Sequence, residues 1–168
     1  MKTKGVRVLG IDPGSSVTGY GIVEECNDQL LHISNGEISV SKKSTFPRSL
    51  KRIYNDLQKI ILDHSPDVIA VEDLFFHKNV KTALKLGHAR GVAILAGVNV
   101  GLDVYEYSPM EIKQAVVGYG RAGKDQVQMM VKKLLGLRQI TSFDASDALA
   151  VAICHIHSAK IKNLLESV

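Results

Sequence analysis

Four carboxylates occur at three places in this 168-residue chain where a parallel-sheet protein could bring them together. Asp12 ends the apolar run Val6-Arg7-Val8-Leu9-Gly10-Ile11, and Glu72 ends a second, Val68-Ile69-Ala70-Val71. Asp144 and Asp147 open a C-terminal stretch with helical patterning. If both runs are strands of one sheet and the helix packs across it, the acids converge on one face. At about 4 Å and an effective dielectric of ~20, each pair of such charges repels by about 4 kcal/mol. Divalent cations relieve that repulsion, and an all-oxygen donor set favours Mg²⁺ or Mn²⁺. Two carboxylate-held metals mainly serve to cut or make phosphodiester bonds.

Each acid also has an ordinary reading. Asp12, in Gly10-Ile11-Asp12-Pro13-Gly14, stands where Asp often sits in a turn. Glu72 is more telling, because a charge finishing a hydrophobic strand needs a partner if buried. Its neighbour Asp73 points to the opposite face by strand alternation, so one of the two belongs to the site. Asp144 and Asp147, three apart, share a helix face. Ser142 as N-cap and a favourable helix dipole explain Asp144 cheaply. They explain Asp147 less well, since it lies a turn further in and precedes Ala148-Leu149-Ala150-Val151-Ala152. Ligation is the preferred reading.

The elements that must position these residues are legible. Residues 6–12 form a buried strand stopped by Pro13-Gly14. Residues 17–25 and 29–40 form two more, joined by an Asn27-Asp28 turn. Leu50, Ile53, Tyr54, Leu57, Ile60 and Ile61 recur at helical spacing up to Ser65-Pro66. The run 67–72 is a short strand. Residues 79–99 predict a long helix with Leu84, Gly91, Ile94, Leu95 and Val98 facing inward, its Gly87, Ala89, Gly91 and Ala93 allowing close approach to a neighbour. Residues 104–107 add a fifth strand. Ser108-Pro109-Met110-Glu111 matches a capping box, and a short helix, the glycine-rich break 118–123 and helices over 125–135 and 143–165 complete the chain. This is an α/β fold: an antiparallel three-strand meander extended by parallel crossovers, flanked by helices. Sites in such sheets form beyond the carboxyl ends of the parallel strands, where Asp12 and Glu72 both stand.

Composition narrows the function class. With 45% hydrophobic residues the chain reads as one domain over 1–168, without linker or repeat. Cys26 and Cys154 read as reduced core thiols of a cytoplasmic protein. No run approaches the ~20 apolar residues that span a bilayer, and the first apolar stretch breaks too early for a signal peptide. No membrane partner is expected. The net charge is +4. That total already includes the four candidate ligands, so the rest of the chain carries +8. A negative pit in a basic surface suits a polyanion whose scissile bond approaches bound metal, although solvated surface lysines give the same total.

Together, Gly10-Ile11-Asp12-Pro13-Gly14 with Thr18-Gly19-Tyr20-Gly21, Val71-Glu72, the segment from Ala83 to Gly91 (ALKLGHARG) and the segment from Asp144 to Ala150 (DASDALA) closely resemble the RuvC Holliday-junction resolvases. The likeness runs from about residue 6 to 157 with its motifs in order. It implies a ribonuclease H-like fold with a five-stranded mixed sheet. It also implies a homodimer that resolves four-way DNA junctions in recombination and DNA repair by paired symmetric nicks, leaving 5′-phosphate and 3′-hydroxyl ends. By that likeness Asp12, Glu72, Asp144 and Asp147 are the catalytic, metal-binding acids, holding two Mg²⁺ per subunit with Mn²⁺ able to substitute. Phe75 would stack on junction bases, and Lys113 and Lys124 would be basic residues near the cleaved strand. A RuvA–RuvB branch-migration complex is an implied partner.

Local sequence agrees. Phe75-Phe76 follows a site acid and precedes polar His77-Lys78-Asn79, where an aromatic can be exposed. Stacking on a base is worth about 1–3 kcal/mol. Lys78, Lys81, Lys85 and Arg90 are candidates for further phosphate contacts, and a solvated helix face predicts the same pattern. Asp73, where many relatives carry an amide, and His77 depart from the family pattern. His155 and His157 read as packing residues of the last helix. The rival readings are an actin-like ATPase or sugar kinase, which needs two such domains, and a silent junction-binding module, which needs no filled set of ligand positions.

Overall fold

The computed structural model describes residues 5–73 and 78–166. Three strands come first: β1 (Val6–Asp12), β2 (Val17–Cys26) and β3 (Gln29–Ser39). They pair antiparallel as a meander. Asn27 and Asp28 turn β2 into β3 with φ of 52° and 63°, the left-handed pair that matches the twist of a hairpin. β4 (Val68–Glu72) then pairs parallel to β1, and β5 (Asp103–Tyr107) parallel to β4. The sheet order is β3-β2-β1-β4-β5, the mixed arrangement expected from sequence.

Helices cover both faces. α1 (Phe46–His64) and α2 (Val80–Val98) pack on one, over Leu9, Ile11, Ile22, Ile69 and Val71. α1 starts four residues before the first periodic apolar residue, because Pro47 is well placed in a first turn. It ends at Ser65, whose φ is 46° and whose N–H donates to the Ile61 carbonyl. On the other face lie α3 (Pro109–Val117), α4 (Lys124–Leu135) and α5 (Phe143–Glu166). α3 opens with the expected capping box, Ser108 accepting from the Glu111 N–H while Glu111 accepts from the Ser108 N–H. α5 lies between the sheet and α3 and α4, and is buried almost all round from Ala145 to Ile156.

The inward face of α2 differs from the expectation. Ala89, Ala93, Ala96 and Gly97 are buried, whereas Leu84, Leu95 and Val98 are exposed and Gly91 has open space above it. The helix sits close to the sheet and to α1, so small residues fill the gap and the larger ones face out. The tightest helix–sheet approach belongs to α5 instead. A Cβ on Gly10 would strike the Ala148 carbonyl, one on Gly19 the Asp144 carbonyl, and one on Gly21 the Leu149 side chain and amide. These three glycines floor the groove that holds α5. Cys154 is a thiol buried within this layer. Among the described residues no helix is long and apolar enough to cross a membrane.

Candidate active site

Strand alternation brings the acids together. Val8 and Val68 face α5 while Leu9 and Ile69 face the other layer. Stepping by two, Asp12 and Glu72 also face α5. The parallel register Ile11↔Val71 sets the next two residues side by side at the carboxyl ends of adjacent strands. Their side chains hydrogen-bond to each other. Burial, that hydrogen bond, and repulsion from Glu72, Asp147 and Asp144 push the Asp12 carboxyl up to about 9. Asp12 therefore keeps its proton at neutral pH in the absence of a cation.

α5 supplies the other two acids. Ser142 caps it, its hydroxyl oxygen accepting from the Ala145 N–H at 3.1 Å and its carbonyl from the Ser146 N–H at 3.1 Å. The Asp144 carbonyl stands over Gly19, which is the cross-strand partner of Asp12. One turn later Asp147 reaches the cavity at the strand ends. Asp147 is held up from the usual carboxylate range by burial, against the opposing pull of Lys124. The Lys124 ammonium lies 3.5 Å from its Oδ2, and that carboxylate raises the lysine in turn.

The cavity measures about 230 Å³. Asp12, Glu72 and Asp147 line it together with Lys113 and Lys124, and Ile112, Val127 and Ala150 form its apolar walls. Asp144 is outside the lining and acts on its neighbours through charge. Among the described residues, no three acid, histidine or cysteine side chains close into a ready-made metal cage. The chemistry of the donors nonetheless fits a hard cation, since all four positions offer carboxylate oxygen and none offers sulfur or imidazole.

The remaining candidates separate. Phe75 and His77 lie outside the described residues. Lys78 and Lys81 are exposed at the start of α2, away from the acid cavity, and the Lys85 ammonium sits 5.7 Å from the centre of the Phe46 ring. Arg90 is held within the fold. Its guanidinium is engaged by Asp73 at 3.0 Å and by Glu106, not turned toward solvent. Asp73 and Glu106 are on the α2 face for the same reason that Glu72 is not: they stand one residue out of phase. That three-residue bridge was invisible in sequence, because the register between β4 and β5 decides which acid meets the arginine. His155 and His157 do pack the last helix, His155 against the Tyr107 hydroxyl at 2.9 Å and His157 against the Ala115 carbonyl at 3.0 Å.

A sheet carrying acids from its two central parallel strands, with two more from a helix laid across it, defines a ribonuclease H-like nuclease. The sequence profile described as "Crossover junction endodeoxyribonuclease RuvC" matches residues 8–155. A protein of that description from Geobacter metallireducens is 55% identical over 97% of this chain and 99% of its own length. One from Geobacter sulfurreducens is 54% identical over 97% and 99%. The structure of Thermus thermophilus RuvC in complex with Holliday junction substrate superposes with a TM-score of 0.88 at 31% identity, covering 94% of this chain and 96% of that one. The chain belongs to the RuvC family of crossover junction endodeoxyribonucleases. Yeast mitochondrial Ydc2, at 16% identity and a TM-score of 0.69, shares the fold.

Proposed function

We propose that this chain, as a single nuclease domain over residues 1–168, resolves four-way DNA junctions in recombination and repair by paired symmetric nicks. The observation that carries this reading is the convergence of acids from β1, β4 and α5 on one cavity with two lysines in its lining. Asp12, Glu72, Asp144 and Asp147 would hold two Mg²⁺, with Mn²⁺ able to substitute. The chemistry such cations supply when bound is activation of a water and relief of charge on the departing 3′ oxygen, which leaves 5′-phosphate and 3′-hydroxyl ends. The protein's own part is to prepare the site. Asp12 would have to give up its proton, since a ligating carboxylate must be ionised. With Asp147 held to a cation, Lys124 would be available, with Lys113, to the phosphates of the cleaved strand. Ile112 and Val127 keep bulk water from the acids. Phe75 stacks on a junction base, and Lys78 and Lys81 meet flanking phosphates.

Symmetric nicking needs two sites, and α2 supports a homodimer. Val80, Leu84, Gly91 and Val98 share one exposed face, the first 72% and the second 60% accessible, with nothing above Gly91. A second copy of the same helix can cross there closely. The cytoplasm as location and a RuvA–RuvB complex as partner rest on family membership alone.

The test is a labelled synthetic four-way junction incubated with the purified protein, with and without Mg²⁺. Metal-dependent paired nicks at symmetric positions are expected, and cleavage that persists in a chelator would sink the reading. Asp12→Asn should still bind the junction.

A further inference from the structure

On the opposite face from the acids, the same strand ends border a second cavity of about 290 Å³. Ser15 and Ser16, from the turn that follows Asp12, form one side. Lys42 and Ser44, from the loop after β3, form another, and Lys85 of α2 closes it. Phe46 is its apolar support: the Lys85 ammonium lies 5.7 Å from the ring centre and the His88 ring meets it edge-on at 5.6 Å. No Asp or Glu lines this cavity. The start of α1 opens beside it, where Thr45 caps the helix without a side-chain hydrogen bond and the first turn holds no acid. Hydroxyls, two ammonium groups and an uncompensated positive helix end make an environment for a phosphate.

We infer that this cavity binds a backbone phosphate of the junction DNA, a few nucleotides from the scissile bond. The inference rests on the resolvase reading and extends it across the sheet. The turn at residues 13–16 is then a saddle. DNA draped over it puts the scissile phosphate on the α5 side and a neighbouring phosphate between Ser15, Lys42 and Lys85. The span is short enough: three residues separate Asp12 from Ser15, about 11 Å of chain at full extension. Lys85, which sequence alone could not tell from a solvated lysine, acquires a defined place. Lys42 and the two serines acquire one that sequence did not suggest.

The measurement is junction affinity as a function of salt, with Ca²⁺ in place of Mg²⁺. A phosphate contact contributes to the slope of log affinity against log salt, about one unit each. Lys42→Gln and Lys85→Gln should each weaken binding and flatten that slope by about one unit. Ser16→Asp, which puts a negative charge in the cavity, should weaken binding further. Lys59→Gln, at the far end of α1, serves as the control and should move neither quantity. Inorganic phosphate or ATP should compete only in proportion to ionic strength. Unchanged slopes in the Lys42 and Lys85 variants, with the parent protein still cutting junctions, would overturn this inference alone. A parent that neither binds nor cuts junctions would overturn the resolvase reading itself. Tight, saturable ATP binding abolished by Ser16→Asp would assign the cavity to a nucleotide instead and overturn the DNA contact.

Discussion

Glu72 and Asp73 are adjacent carboxylates with opposite circumstances. Glu72 faces α5, where it hydrogen-bonds Asp12 in a pit of like charges. Asp73 faces α2, where it shares the Arg90 guanidinium with Glu106. On one side of the sheet Asp12 and Glu72 meet each other, and on the other two acids meet one cation. The two faces show how a fold sorts identical chemistry by a single step of alternation. One side holds its two acids around a guanidinium, while the other sets Asp12 against Glu72 in a cavity.

The largest test of that contrast is in activity. Glu72→Gln or Asp12→Asn removes one charge from the reactive side, and junction cleavage should fall by about 10²–10³-fold or more, the scale of losing one aimed electrostatic group in an active site. Asp73→Asn, one residue away and as small a change, should leave the cleavage rate within a few-fold. Single-turnover rates on a synthetic junction measure both. Equal losses at positions 72 and 73 would dissolve the distinction between the faces.

The structural side should answer in stability instead. Arg90→Ala leaves Asp73 and Glu106 facing one another on adjacent strands. Removing one member of a buried pair costs about 3–5 kcal/mol. These partners are 46% and 39% exposed, and solvent screening reduces that to about 1–2 kcal/mol. At this chain length, Tm should drop by roughly 2–8 °C. The double variant Asp73→Asn, Glu106→Gln in the Arg90→Ala background should recover part of the loss, since the two side chains then no longer repel one another.

How much of this was legible beforehand follows the same division. That Asp12, Glu72 and Asp147 meet at one cavity was readable because each acid closes a strand or lies in the first turns of a helix, where local pattern and sheet logic agree. The strand order and the α3 capping box were readable for similar reasons. Which helix packs closest was not. Of the small residues of α2 expected to allow close approach, Ala89 and Ala93 are buried, yet Gly91 faces open space, and Gly10, Gly19 and Gly21 of the sheet take the close helix. Glycines in strands read as weak strand formers until a partner's carbonyl is seen above them. Arg90 was equally opaque. Its helix face is set by α2 packing and its partners by β4–β5 register, and neither is written in the residues around it.

A smaller effect, of opposite sign, separates the faces in cation-free buffer. With the Asp12 carboxyl at about 9 in the folded protein and near 3.8 unfolded, the native state binds more protons than the unfolded chain between those values. Stability therefore falls as pH rises through that window. Asp12→Asn removes the dependence, so its Tm in chelator should exceed the parent's by a few degrees, with a gap widening from about pH 4 toward pH 9. Adding Mg²⁺ should stabilise the parent and close the gap. A variant that melts below its parent at every pH would contradict the uncompensated charge.

The smallest expected effect comes from the packed end of α5, far from the acids. Burial holds the His155 imidazole below its usual range, and its Nδ1 lies 2.9 Å from the Tyr107 hydroxyl, itself pushed up to about 12 chiefly by burial. Below pH 6.5 the unfolded chain takes up a proton that folded His155 refuses. The stabilisation present above that pH is thus lost as acid is added, by at most about 1.4 kcal/mol per unit. His32, also lowered by burial, adds the same sign. His155→Gln should flatten the stability profile between about pH 5 and 6.5 in urea titrations while leaving cleavage at neutral pH unchanged. A cleavage rate that changed with it would tie the α5 packing end to the acid end, and the two regions of that helix would have to be treated as one device.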